Sequence, residues 1–250
     1  MRTYNTISIL FVISVLTFLS QCSSSDGEQM CGAGSMSISG TNSCLSFEHK
    51  GLSDTQQVSI QDKVAQAMLA VNRIMPVDNL LIRIIDDPRL VIPGLGIGGY
   101  NPSETEILIV IDTSFTDLER SLEGYLFPMI AHEAHHAKRR LSVGYGTTLF
   151  EAMVSEGLAD HFSMQVAGIE PPPWSVVLTG QELEDWKGIA RMVWHETSYD
   201  HDAWFFGIGD SIPSWTAYAV GYDMVNTYLH QNPNRKPADL HDEPASSFEF

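Results

Sequence analysis

His132-Glu133-Ala134-His135-His136 is an H-E-x-x-H sequence, and its setting before Arg139 and Arg140 suits a helix. On a helix, positions i and i+4 share one face, so His132 and His136 can grip one metal ion. Glu133 stands beside them, placed to take a proton from a metal-bound water. That combination is the working core of zinc-dependent peptidases. His135 points about 100° around the helix from His136. It is expected as a satisfied second histidine behind the site or at the surface, not as a ligand.

A zinc site needs about three protein ligands or more. Downstream stand Glu151, Glu156, Asp160 and His161. Thr148-Leu149-Phe150-Glu151 has the form of a capping box, which gives Glu151 a structural role at a helix start. Glu156 and Asp160 are four apart and share a face of that helix. The simplest arrangement puts Glu156 on the metal and Asp160 behind it, accepting the free N–H of a ligand histidine. The plain alternative for Glu156 is a solvated helix carboxylate. Ala152, Met153, Leu158, Ala159 and Phe162 flank it and are too apolar for a fully solvated stretch. Rival zinc classes fit less well. The metzincin pattern wants glycine and histidine where Arg139 and Ser142 stand. A G-T-x-x-D continuation, as in aspzincins, starts at Gly146-Thr147 and fails at Phe150.

H-E-x-x-H followed by Glu156 and Asp160 resembles the gluzincin metallopeptidases. Ala131 to Ala137, Glu156-Gly157-Leu158-Ala159-Asp160 and Pro213 to Tyr222 together resemble a bacterial family described as predicted zinc-dependent proteases, over about residues 80–230. The resemblance implies an α+β fold, a small antiparallel or mixed sheet packed on a mainly helical zincin-like catalytic core. It implies Zn²⁺ held by His132, His136 and Glu156, with Glu133 as general base and Asp160 as support. In gluzincins a tyrosine or histidine from a later helix donates to the oxyanion. Tyr218 is the first candidate here and Tyr222 the second, with His195, His201 and His230 behind them. Against this, Trp215, Tyr218, Tyr222 and Val225 form a stripe at helical spacing, which is also what a core face looks like.

The chain ends carry targeting signals. Arg2 and the apolar run Ile7 to Leu19 have the form of a signal peptide, and Leu19-Ser20-Gln21-Cys22 resembles a bacterial lipobox. Cys22 is then the lipidated N-terminus of an exported protein, lipid-anchored in the cell envelope. Gln21 departs from the usual small residue, which leaves ordinary secretion as the alternative. Cys31 and Cys44 remain as an even pair that an exported chain allows to form a disulfide. A net charge of −17 repels nucleic acid and anionic lipid heads. The expected partners are peptide or protein substrates and, through the anchor, a membrane. The alternative function is a zinc-binding surface lipoprotein that acts as a non-catalytic binding module.

The expected organisation is a signal peptide over 1–21, a Ser/Gly-rich tether over 22–53, a catalytic domain over 54–232 and a loose tail over 233–250. Within the domain the patterns predict an amphipathic helix from Gln56 to Ile74 and strands over Leu80 to Ile85, Gly94 to Tyr100 and Glu106 to Ile111. Helices follow around the motif, from Leu149 to Val166, from Glu182 to Trp194 and from Trp215 to His230. Pro128 is expected to open or kink the motif helix. The Gly-rich strand is either a sheet edge beside the cleft, open to an extended peptide, or a flexible loop.

Overall fold

The computed structural model describes residues 31–209 and 211–249; the signal sequence and Cys22 lie outside them. A capping box at Ser53 and Gln56 starts the first helix, α1 (Asp54–Ile74), whose Ile60, Val64, Ala67, Met68 and Val71 are buried. Three short β-rich segments supply β3 (Leu81–Asp86), β4 (Ile97–Ser103) and β5 (Glu106–Ile111). Two more strands precede α1, β1 (Ser35–Ser37) and β2 (Cys44–Glu48). The sheet order is β1-β2-β3-β5-β4, with β2, β3 and β5 parallel and β1 and β4 antiparallel on the two edges. The fold is α+β, with a mixed five-stranded sheet on a mainly helical body.

The helices after the sheet are α2 (Leu118–Arg140), α3 (Leu149–Ala167), α4 (Gly180–Val193) and α5 (Thr216–Gln231). α2 packs between the sheet side and α3, so its buried residues join the larger core with Ile82, Ile84, Ile107 and Ile109. A second core gathers α3, α4, α5 and the C-terminal segment around Met153, Trp204, Phe205, Val220 and Leu240. Among the described residues no helix is long and apolar enough to cross a membrane.

Three expectations change. Residues 31–53 are not a tether: Ile38, Leu45 and Leu52 are buried, and β2 pairs in parallel with β3. The few apolar residues there sit where the sheet can cover them, which the surrounding serines and glycines mask. Cys31 and Cys44 form a disulfide that ties the described N-terminus to β2. The segment after Asn232 is not loose. Short 3₁₀ turns over Pro237–Leu240 and Ala245–Phe248 bury Leu240 and Phe248. Arg139, itself buried, donates to the carbonyls of His241 and Glu243 and holds the segment in place. Of the two expectations for Pro128, opening the motif helix is not met: the helix begins at Leu118 and runs through it.

Candidate metal centre and active-site cleft

α2 presents His132 and His136 one turn apart, and α3 crosses beside them with Glu156. α3 is set by its own ends. Thr148 accepts from the Glu151 amide at 3.2 Å and Glu151 accepts from the Thr148 amide at 3.0 Å. Gly168, in the left-handed region at φ 66°, closes the helix. Glu151 is therefore the cap and Glu156 faces α2.

Three donor atoms converge. His132 Nε2 lies 3.0 Å from His136 Nε2 and 3.1 Å from Glu156 Oε2, and His136 Nε2 lies 3.4 Å from Glu156 Oε1. Tetrahedral donors on zinc, with bonds of about 2.1 Å, stand about 3.4 Å apart, so the cluster fits one such ion. His132, His136 and Glu156 are the group of side chains among the described residues whose ligand atoms fall within 4.8 Å of one another. Burial alone would push the Glu156 carboxyl up, but the imidazoles of His136 and His132 beside it hold it well below the ordinary range.

Asp160 lies one turn beyond Glu156 and is fully buried. It accepts from His132 Nδ1 at 2.8 Å, from Trp174 Nε1 at 3.2 Å and from the Ser175 hydroxyl. With its Nδ1 proton donated to Asp160, the neutral ring of His132 would have Nε2 free for a metal ion. Trp174 and Ser175 come from the 3₁₀ turn after Pro171-Pro172-Pro173 and were not singled out in the sequence. Tyr145 was missed too. It reaches in from the α2–α3 loop and donates to Glu156 Oε1 at 2.8 Å, with its ring edge on His136. No local pattern marks either contact; the Pro-rich break was the only signal near the first.

Glu133 is buried beside His132, where burial raises its carboxyl and the two imidazoles oppose that rise. β4 passes directly over it. A Cβ at Gly99 would stand 2.5 Å from Glu133 Oε1 and 2.8 Å from Met129 Cγ, so a side chain there would displace Glu133 or Met129. The cleft between β4, α2 and the Pro171–Trp174 turn measures about 600 Å³ and contains His132, Glu133 and Asp160. The Gly-rich segment is thus an edge strand at the cleft.

Tyr218 lines the same cleft. Burial, with the Glu156 charge nearby, keeps its hydroxyl protonated well above the ordinary range. α5 delivers it through a close crossing: the backbone of Gly221 occupies the space a side chain at Gly157 would need, and Met153 does the same to Gly221. Tyr222 instead stacks on His161 at 4.3 Å. His201 stacks on Phe205, which meets Tyr218 edge-on at 5.1 Å, one ring removed from the site. His195 is exposed and lies toward Glu249, and His230 is exposed near the end of α5. His135 departs from expectation. It is fully buried against Phe162, and neither ring nitrogen has a hydrogen-bond partner among the described residues. Burial drives it neutral.

Two imidazoles and a carboxylate, beside a cleft that His132 and Glu133 line, have the composition of a catalytic zinc centre. Residues 59–249 match the model of a family described as "Predicted Zn-dependent protease (DUF2268)", and the chain belongs to that family. The family description and the His/Glu cluster point to the same metal. No curated protein matches the chain.

Proposed function

We propose that the protein is a zinc metallopeptidase of the gluzincin type, exported and held at a membrane by lipid on Cys22. The observation that carries the activity is the convergence of His132, His136 and Glu156 on one point, with the Glu133 carboxylate beside it in the cleft. A bound zinc ion supplies Lewis acidity there, polarising the scissile carbonyl and acidifying water. Glu133 accepts the proton from the attacking water and passes it to the leaving amine. Asp160 fixes the tautomer of His132, and Tyr145 orients Glu156. The Tyr218 hydroxyl donates to the developing oxyanion. The outer edge of β4 at Gly99 offers backbone groups to an extended peptide. The cysteine after the apolar N-terminal run supports the anchor.

The chain without residues 1–22 is incubated with a complex peptide mixture beside its Glu133→Gln variant, and new termini are read by mass spectrometry. The wild type cuts. The variant keeps its metal and loses roughly a hundred- to ten-thousand-fold in rate. Equal cutting by both would remove Glu133 from the mechanism.

A further inference from the structure

The cleft extends well beyond the metal site along α2. Arg120, Gly124, Pro128 and His132 all line it, a stripe with four-residue steps on one helix face. At about 1.5 Å per residue the stripe is about 18 Å long. A Cβ at Gly124 would meet nothing within 4 Å, so the floor is open between the two ends. Pro128 has no N–H for the Gly124 carbonyl four residues back.

Arg120 closes this stripe. It is the only lysine or arginine among the described residues of the lining, whose carboxyl side chains are Glu133, Asp160 and Glu170. It is exposed and has no ion-pair or hydrogen-bond partner among the described residues, in a chain of net charge −17. An isolated cation at the end of an otherwise acidic cleft favours an anion on the ligand.

Direction follows from β4. Gly99 lies against Met129 and Glu133, and Asn101 accepts from Arg140, so β4 runs alongside α2 in the same sense. A peptide paired antiparallel at Gly99, the commoner pairing, runs from the Arg140 end toward Arg120; beyond Gly99 the β4 edge is taken by Ile92, whose N–H donates to the Ile97 carbonyl, so the peptide continues over α2. Its C-terminal side therefore faces Arg120. At about 3.4 Å per extended residue, 18 Å spans about five residues.

We infer that the cleft reads a carboxylate on the substrate about five residues C-terminal to the scissile bond, with Arg120 as its receptor. The carboxylate is either an acidic side chain or the chain terminus. This rests on the peptidase reading above.

The test uses the zinc-loaded chain lacking residues 1–22 and a series of peptides sharing one cleavable core. Each carries glutamate or glutamine at the fifth position after the cut, or ends there as a free acid or an amide. The acid forms are cleaved with a kcat/KM roughly fivefold higher, through KM. In Arg120→Ala the acid-to-neutral ratio falls to about one, and in Arg120→Lys it is partly kept. Gly124→Phe, which fills the open floor, selectively loses peptides that reach past it. Preference for glutamate marks an acidic side chain as the ligand, and preference confined to the free acid marks the terminus. Cleavage without any acid preference, or a preference that survives Arg120→Ala, overturns the inference. The same peptides titrated against zinc-loaded Glu133→Gln separate the two readings. If nothing is cut the peptidase proposal fails, and the dissociation constants with and without Arg120 then decide the carboxylate site alone.

Discussion

Asp160 carries more of the site than its position behind the ligands suggests. It accepts from His132, Trp174 and Ser175, so the indole and the hydroxyl hold in place the carboxylate that fixes one imidazole in one tautomer. Asp160→Asn keeps the shape and offers an amide where the His132 proton needs an acceptor. The variant is expected to bind zinc roughly ten- to a hundred-fold more weakly, as measured by competition with a chromophoric chelator. His132, His136, Glu156 and Asp160 were legible because each pair lies one helical turn apart, and that spacing is local. Tyr145, Trp174 and Ser175 were not, because they arrive from loops with no period. His135 was misread because only α3, with Phe162, shows which face of α2 is covered.

At the scale of elements, α3 positions both Glu156 and Asp160, and its start is fixed by Thr148 and Glu151. Thr148→Ala should cost about 1 kcal/mol in thermal or urea unfolding. The backbone amide of Thr147 heads the causes that hold the Glu151 carboxyl below its ordinary range, against burial. A depressed folded value means the contribution is complete above the unfolded carboxylate range and is lost as pH falls through the folded one. Glu151→Gln is therefore destabilised near neutrality, and the gap to wild type narrows in acid. Caps and hydrophobic periodicity made α1, α3, α4 and α5 readable to within a few residues, whereas the start of α2 at Leu118 was not read. β2 escaped notice because its burial is conferred by pairing with β3, a partner distant in sequence, and β1, which pairs with β2, is largely exposed. The Gly-rich strand stayed ambiguous for the opposite reason: Gly99 serves the approach to Glu133 and Gly98 the approach of Leu90, which costs strand propensity.

Across the whole molecule, the two cores meet at α2 and α3, and the C-terminal segment closes the second. Phe248 is buried against Tyr228, with ring centroids 4.5 Å apart. Phe248→Ala should cost roughly 3 kcal/mol or more, far beyond what a loose tail permits; an unchanged unfolding midpoint would contradict that packing. Arg139 shows why the segment was invisible in the sequence. At a helix end it reads as a cation suited to the dipole, yet it is buried and its donors go to Ser155 and to carbonyls about a hundred residues away.

The central claim is that His132, His136 and Glu156 form one zinc site. Zinc is counted by mass spectrometry in protein purified without added metal. The account predicts one ion per chain in the wild type and in Glu133→Gln, and a large loss in His132→Ala and in Glu156→Ala, both checked for folding by circular dichroism. A folded wild type without zinc, or full occupancy in Glu156→Ala, would contradict it.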